Sequence, residues 1–102
     1  MQRFTGLTAA IGFLMLAAGT TGAAAQACQE GIGEAGAPDR GTALVQAYDA
    51  MLRGVDQAAW RQWQARGQRI GEAPGFTVRK LTTNCSPRGA GSFCRVQAVL
   101  CR

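Results

Sequence analysis

The sequence predicts an α+β mini-domain in which one long helix, continuous or kinked, packs on a two-stranded antiparallel β-hairpin that is stabilised by disulfides. Three observations predict it: an apolar leader ahead of all four cysteines, helical periodicity in the middle of the chain, and a strand-turn-strand pattern in its last third. The predicted segments are a signal peptide (1–27), a flexible arm (28–41) and the helix-plus-hairpin domain (42–102). About 75 residues remain after the leader. A core of that size alone gives marginal stability, so crosslinks are expected.

Residues 1–27 have the pattern of a secretory signal peptide. A short basic start precedes an apolar stretch (4–18) and a run of small residues, which is the order typical of such signals. Cleavage after Ala27 satisfies the small-x-small rule, and cleavage after Ala25 satisfies it too. The mature chain is therefore expected in the periplasm or outside the cell.

Two other fates of the leader stay open. No charged residue occurs between Arg3 and Glu30, so an uncleaved leader is long enough to anchor the chain in a membrane. A cysteine directly after the leader, Cys28, also allows lipid modification, although the residues before it match that signal poorly. Anchoring in a membrane is expected only through the leader, if it is not cleaved.

The arm contains a literal match to the dinucleotide-binding fingerprint. Gly31, Gly33 and Gly36 have the GxGxxG spacing. That motif requires a preceding strand, a helix that opens from it and a βαβ unit around it. The predicted cleavage site precedes these glycines and Pro38 follows them, so we reject nucleotide binding and expect no cofactor.

The middle of the chain predicts an amphipathic helix. Either Asp39 or Thr42 can cap its start, and Gly71 marks its end. A split into two helices is an alternative, because Gly54 disfavours a helix interior and Asp56 is a good new cap, but a continuous or kinked helix is favoured. The apolar residues that recur at spacings of three and four are Leu44, Tyr48, Met51, Leu52, Val55, Ala59, Trp63 and Ile70.

The last third of the chain predicts a β-hairpin. Residues 76–84 and 93–100 have strand-like composition, and residues 86–91 supply the proline and glycines of a turn. Trp60 and Trp63 of the helix are expected to pack on this hairpin. The second strand places alternate residues on one face, which is the better candidate for the core; they are Cys94, Val96, Ala98 and Leu100.

Strand geometry selects one pairing of the cysteines. Cys94 and Cys101 are seven residues apart on one strand, hence ~23 Å apart, whereas a disulfide needs Cα atoms within ~7 Å. Cys85 lies near the turn and Cys101 at the far end, so these two cannot meet. The predicted disulfides are therefore Cys85 to Cys94 across the hairpin and Cys28 to Cys101 between the chain ends.

The hairpin is predicted to be cationic. From Ala73 to the last residue there is no acidic residue, which makes an anionic partner plausible on charge grounds. The partner would be an anionic envelope component, such as a phosphate-bearing lipid or cell-wall polymer, or an acidic protein, with ordinary solubility as the alternative role of these charges. Nucleic acid is disfavoured, since an exported chain rarely meets it and no recognition element is evident. The candidate contacts are Arg79, Lys80, Arg88, Arg95 and Arg102.

Catalytic and metal chemistry find little support in the sequence. The chain has no histidine, no CxxC motif and no zinc-like ligand spacing. Asp49 and Asp56 are the least unsuitable acid-base pair, ~10.5 Å apart along a helix axis, which is wide for paired glycosidase carboxylates. We therefore predict no catalytic, cofactor or metal site, and a non-catalytic interaction protein. The alternatives are a small cell-wall or polymer-acting enzyme and a secreted cationic effector or inhibitor.

The tryptophan-bearing helix, Cys85 and the terminal run Cys94–Cys101 (CRVQAVLC) together resemble a group of proteins. These are small exported proteins of Gram-negative bacteria, of uncharacterised function, with a Trp-bearing helix and a C-terminal cysteine-rich hairpin. The resemblance covers residues 42–102. It implies a periplasmic location and a helix-plus-hairpin fold, and it transfers no catalytic residue.

Overall fold

The computed structural model describes residues 27–102, so the predicted signal peptide lies outside the described residues except for Ala27. The three strands form one antiparallel sheet in the order β1-β3-β2, and α1 lies mainly over β1 and β3. The predicted fold of one long helix on a two-stranded hairpin is therefore wrong, because there are two helices and three strands. In chain order the elements are β1 (Cys28–Ala37), α1 (Arg40–Val55), α2 (Gln57–Ala65), β2 (Thr77–Arg88) and β3 (Gly91–Cys101).

The segment expected to be a flexible arm (28–41) instead forms β1 and the start of α1. Its glycines suggested an arm because glycine weakens an isolated strand, but here they allow α1 to approach the sheet closely. A Cβ atom at Gly33 would overlap the carbonyl oxygen of Ala47 and lie 2.5 Å from the backbone nitrogen of Met51. A Cβ atom at Gly31 would lie 2.8 Å from the sulfur of Met51. The GxGxxG match thus includes two glycines required for helix-strand packing.

The helical region divides at Asp56. The backbone N–H of Asp56 donates to the carbonyl of Leu52 and closes α1. Its side chain accepts from the backbone N–H of Ala59 at 2.9 Å and so caps the start of α2. Because one residue ends the first helix and begins the second, the split that sequence reasoning held as an alternative is what forms.

An aspartate also begins α1. Of the two predicted caps, Asp39 is the one used: its carboxylate accepts from the backbone N–H of Thr42 at 2.8 Å and from the Thr42 hydroxyl at 2.9 Å. These hydrogen bonds, with the backbone bond first, hold the pKa of Asp39 below its usual value.

The core lies between α1, α2 and β3. The predicted core face of β3 is buried, from Cys94 to Leu100 at alternate positions. Trp63 packs against Tyr48, with ring centroids 5.3 Å apart, and its indole N–H donates to the carbonyl of Arg69 at 2.7 Å. The Tyr48 hydroxyl donates to the carbonyl of Glu72 at 2.6 Å, and burial raises the Tyr48 pKa to about 12. The two largest core side chains thus have their polar atoms satisfied.

Both predicted disulfides form. Cys28 bonds to Cys101 and Cys85 to Cys94, with Cα separations of 4.0 and 4.1 Å. One links β1 to β3 and the other links β2 to β3, so each outer strand is covalently attached to the central strand. Disulfides of this kind are typical of an oxidising location, either extracellular or periplasmic.

Candidate functional site

The face of the sheet opposite α1 is open to solvent in the described part of the chain. Side-chain exposure alternates along the central strand β3. Arg95 and Gln97 are at least partly exposed, while Val96 and Ala98 are buried. Ile32 on β1 is 48% exposed, the one large hydrophobic side chain among residues 27–102 that is exposed to this degree. A groove of about 290 Å³ on this face is lined by Thr82, Asn84, Ser86, Phe93, Arg95 and Gln97.

The five predicted cationic contacts do not gather into one patch, and Arg95 and Arg102 have carboxylate partners. Arg95 bonds to Glu34 of β1 at 2.9 Å. Arg102 bonds to Asp56 between the helices at 2.6 Å, and its guanidinium lies 4.2 Å from the ring centroid of Phe76. These two arginines connect elements of the domain, so they are poorly suited to be the main contacts of a partner.

The other three basic residues lie on β2, which carries no acidic residue. Arg79 occupies a register irregularity between Val78 and Lys80. Arg88 lies at the hairpin turn, with its guanidinium 4.0 Å from the ring centroid of Phe93. Lys80 and Arg88 are eight residues apart, hence ~27 Å along the strand. The cationic character is therefore spread along one edge of the sheet.

The opposite edge strand is acidic, which sequence reasoning missed. Glu30 and Glu34 of β1 are exposed on the open face, with Ile32 between them. The Glu30 carboxylate accepts from the neutral side-chain amide of Gln97 at 3.2 Å. Glu30, Ile32 and Glu34 occupy alternate positions, but glycines lie between them, so the segment lacks the alternation of apolar and polar side chains that predicts a strand.

The backbone of β1 directs hydrogen-bonding groups outward, away from the other strands that the structure describes. Ala27 and Arg102 exchange both backbone hydrogen bonds, at 3.2 and 2.9 Å, so they form a hydrogen-bonded antiparallel pair. The register from Cys28 to Ala37 has no irregularity, so such pairs alternate strictly along the strand. Glu30, Ile32 and Glu34 then occupy the alternate positions, whose N–H and C=O groups point away from β3.

The backbone of β2 is less accessible to a further strand. By the same alternation, counted from the closely spaced Cys85 and Cys94, the outward positions include Leu81, Thr83 and Pro87. Pro87 has no N–H to donate. The irregularity at Arg79 and the cationic side chains are further devices by which natural sheets protect an edge. The two edges of this sheet thus differ in charge and in backbone access.

The two aspartates considered for acid-base chemistry both have structural partners. The indole N–H of Trp60 donates to the carboxylate of Asp49. Asp56 caps α2 and bonds to Arg102, and the hydrogen bond from Ala59, followed by that from Arg102, lowers the pKa of Asp56. A carboxylate with a lowered pKa stays ionised at neutral pH. The ionised form suits a helix cap, whereas a general acid must carry a proton to donate.

Among residues 27–102, no group of three or more His, Cys, Asp or Glu side chains is placed to hold a metal ion. No helix in the same part of the chain combines the length and apolar character needed to cross a membrane. The chain matches no protein-family model, no curated protein and no solved structure.

Proposed function

We propose that this protein is an exported, non-catalytic interaction module whose basic strand β2 binds an anionic component of the cell envelope. One observation carries the proposal: β2 is an edge strand with three basic residues, Arg79, Lys80 and Arg88, and no acidic residue along its length. An array of positive charges on an exposed edge attracts anionic polymers, anionic lipid headgroups or acidic proteins. The oxidising location indicated by the disulfides is consistent with an envelope partner.

Binding to anionic surfaces tests this proposal directly. The full-length protein, purified with both disulfides intact, is mixed with vesicles of phosphatidylglycerol, with vesicles of phosphatidylcholine, and with soluble polyglutamate. We expect binding to the anionic vesicles or to polyglutamate, and a loss of that binding as salt is raised, because surface charges are screened. The anionic probe that binds distinguishes a lipid headgroup from an acidic polymer.

A pair of charge-matched variants locates the contact. The triple substitution Arg79→Gln, Lys80→Gln and Arg88→Gln is expected to weaken binding about 100-fold, since each basic residue near an anionic surface contributes about 1 kcal/mol. The control removes the same charge from α2 and the segment that follows it, through Arg61→Gln, Arg66→Gln and Arg69→Gln. Equal losses from the two triple variants would show that only net charge matters and would refute the role of β2.

The periplasmic or secreted location is part of the same proposal. The backbone bonds between Ala27 and Arg102 support cleavage after Ala25, because cleavage after Ala27 would remove one member of this pair. The intact mass of the protein recovered from the periplasm or medium of an expressing bacterium tests this. A mass that includes residues 1–25, or an acylated Cys28, would instead support the anchored or lipid-modified form.

A further inference from the structure

We propose that β1 is a second binding site, which accepts an extended peptide as a fourth strand of the sheet. The partner we infer carries a cationic, an apolar and a second cationic side chain at alternate positions. This site lies on the edge opposite to β2, and its ligand has the opposite charge, so it is independent of the envelope contact proposed above.

The backbone of β1 is prepared for strand addition. Glu30, Ile32 and Glu34 direct their N–H and C=O groups away from β3, as the bonds between Ala27 and Arg102 and the uninterrupted register require. Between Cys28 and Ala37 the strand has no proline and no irregularity. Main-chain bonds to such an edge provide the affinity in strand-addition complexes.

The side chains of β1 specify what the added strand carries. A residue placed beside Ile32 on the open face would cover the apolar surface that is 48% exposed in the free protein. Residues two positions before and after it would lie beside Glu30 and Glu34. Glu30 accepts only a neutral amide bond from Gln97 among the side-chain hydrogen bonds of residues 27–102, so its charge favours a cationic neighbour.

A second copy of the chain fits this edge poorly. If two β1 strands paired in antiparallel fashion about Ile32, each Glu30 would face a Glu34 of the other copy. Like charges directly opposite each other destabilise strand pairing. The acidic pattern therefore selects against self-pairing and in favour of a basic partner strand.

Binding of a synthetic peptide tests the site on the full-length, disulfide-bonded protein. The probe is the acetylated and amidated sequence Thr-Thr-Lys-Thr-Val-Thr-Lys-Thr-Thr, whose length of about nine residues is within the usual range for a strand. We expect saturable binding by isothermal titration calorimetry. Replacing both lysines of the probe by glutamate is expected to weaken binding at least about tenfold.

Two N-methylated probes separate strand addition from simple charge attraction without any change to the protein. Methylation of the backbone nitrogens of Val and both Lys residues removes the N–H donors that would face Glu30, Ile32 and Glu34. We expect this change to abolish binding. Methylation of three Thr backbone nitrogens, the two between the lysines and the one directly after the second lysine, blocks the opposite edge of the peptide and is expected to have little effect. Equal loss with both probes, or no loss with either, would overturn the proposal.

A matched pair of proline variants places the contact on the protein. Ile32→Pro removes an outward donor of β1 and is expected to weaken peptide binding about tenfold, as for a lost hydrogen bond or two. Thr83→Pro makes the same change at an outward position of β2 and is expected to leave peptide binding within about twofold. A thermal unfolding scan of each variant checks that it is folded, and the N-methylated probes give the decision if Ile32→Pro is not.

Self-association is the remaining outcome. Analytical ultracentrifugation of the free protein is expected to give a monomer at the concentrations used for peptide binding. A dimer or larger species that disappears in the Ile32→Pro variant would assign the edge to a second copy and overturn the proposal.

Discussion

The two outer strands of the sheet bond to the same central strand, yet they differ in composition, in charge and in the regularity of their backbone. Strand β1 is glycine-rich and acidic, lies under α1 and presents an unbroken backbone edge. Strand β2 is basic, is interrupted at Arg79 and carries Pro87 near the turn. The comparison indicates that protection from strand addition is concentrated on the edge that α1 barely covers. The glycines that permit close helix packing leave the other edge without such protection.

The largest expected effect comes from the two disulfides, which fasten the two outer strands unequally. The Cys28 to Cys101 bond closes a loop with a sequence separation of 73, and the Cys85 to Cys94 bond one with a separation of 9. On the chain-entropy model, loss of the first costs about 4.5 kcal/mol and loss of the second about 2.5 kcal/mol. Urea unfolding of two double variants, one with Cys28 and Cys101 replaced by serine and one with Cys85 and Cys94 replaced by serine, measures the two losses in the free energy of unfolding. Equal losses would show that loop length does not decide how firmly each edge is held.

The next largest effect tests the contact between β1 and α1. Gly33→Val places a side chain where the backbone of Ala47 and Met51 already lies. Because backbone atoms cannot move aside as a flexible side chain can, we expect a loss of about 3 kcal/mol or more in the free energy of unfolding. Gly36→Val is the matched control, since a Cβ at this position would find no atom closer than 3.7 Å. We expect that control to stay within about 0.5 kcal/mol of the parent protein.

This contact also explains which part of the fold the sequence could not predict. The cysteine pairing was predicted correctly because spacing along a strand sets a hard limit on the distance between two Cα atoms. Strand β1 was missed because Gly31 and Gly33 disfavour a strand when considered locally. The packing that needs them comes from Met51 and Ala47, which are distant in sequence.

The candidate site shows the same division between local and tertiary information. The basic residues of the hairpin follow directly from composition. The carboxylate partners of Arg95 and Arg102 carry no such local signal. Arg95 and its partner are separated by 61 positions in the sequence, and Arg102 and its partner by 46, so only the sheet register and the tertiary contacts bring them together. The local pattern offered Asp56 as a cap only in the alternative of two helices, which was not favoured, and its bond to Arg102 carries no local signal.

Alkaline titration probes the contact between α1, which lies over β1, and the loop that precedes β2. This contact connects the two sides of the comparison. The Tyr48 hydroxyl donates to the Glu72 carbonyl, and burial raises the Tyr48 pKa from 10.0 to about 12. A raised pKa means that the folded state favours the protonated hydroxyl. This stabilisation is fully present below pH 10.0 and is lost as the pH rises to about 12. The loss amounts to about 2 to 3 kcal/mol.

Tyr48 is the only tyrosine of the chain, so tyrosinate absorbance reports its ionisation alone. Unfolding free energies measured across the same pH range give the coupled loss of stability. The Tyr48→Phe variant has no ionisable hydroxyl and is expected to show a smaller decline over this range. An equal decline in both proteins would assign the alkaline loss to other groups.

The smallest expected effect separates the charges of the two edges from their backbone. Glu34→Gln removes the carboxylate that bonds to Arg95, and both side chains of this pair are nearly half exposed. Exposed ion pairs contribute about 0 to 1 kcal/mol, so we expect a loss of about 0.5 kcal/mol in urea unfolding. The same substitution leaves the outward backbone groups of β1 in place and makes the open face more cationic. Anion binding should therefore strengthen while binding of the lysine-containing peptide weakens. A Glu34→Gln variant in which both affinities moved in the same direction would show that the two edges are not electrostatically distinct sites.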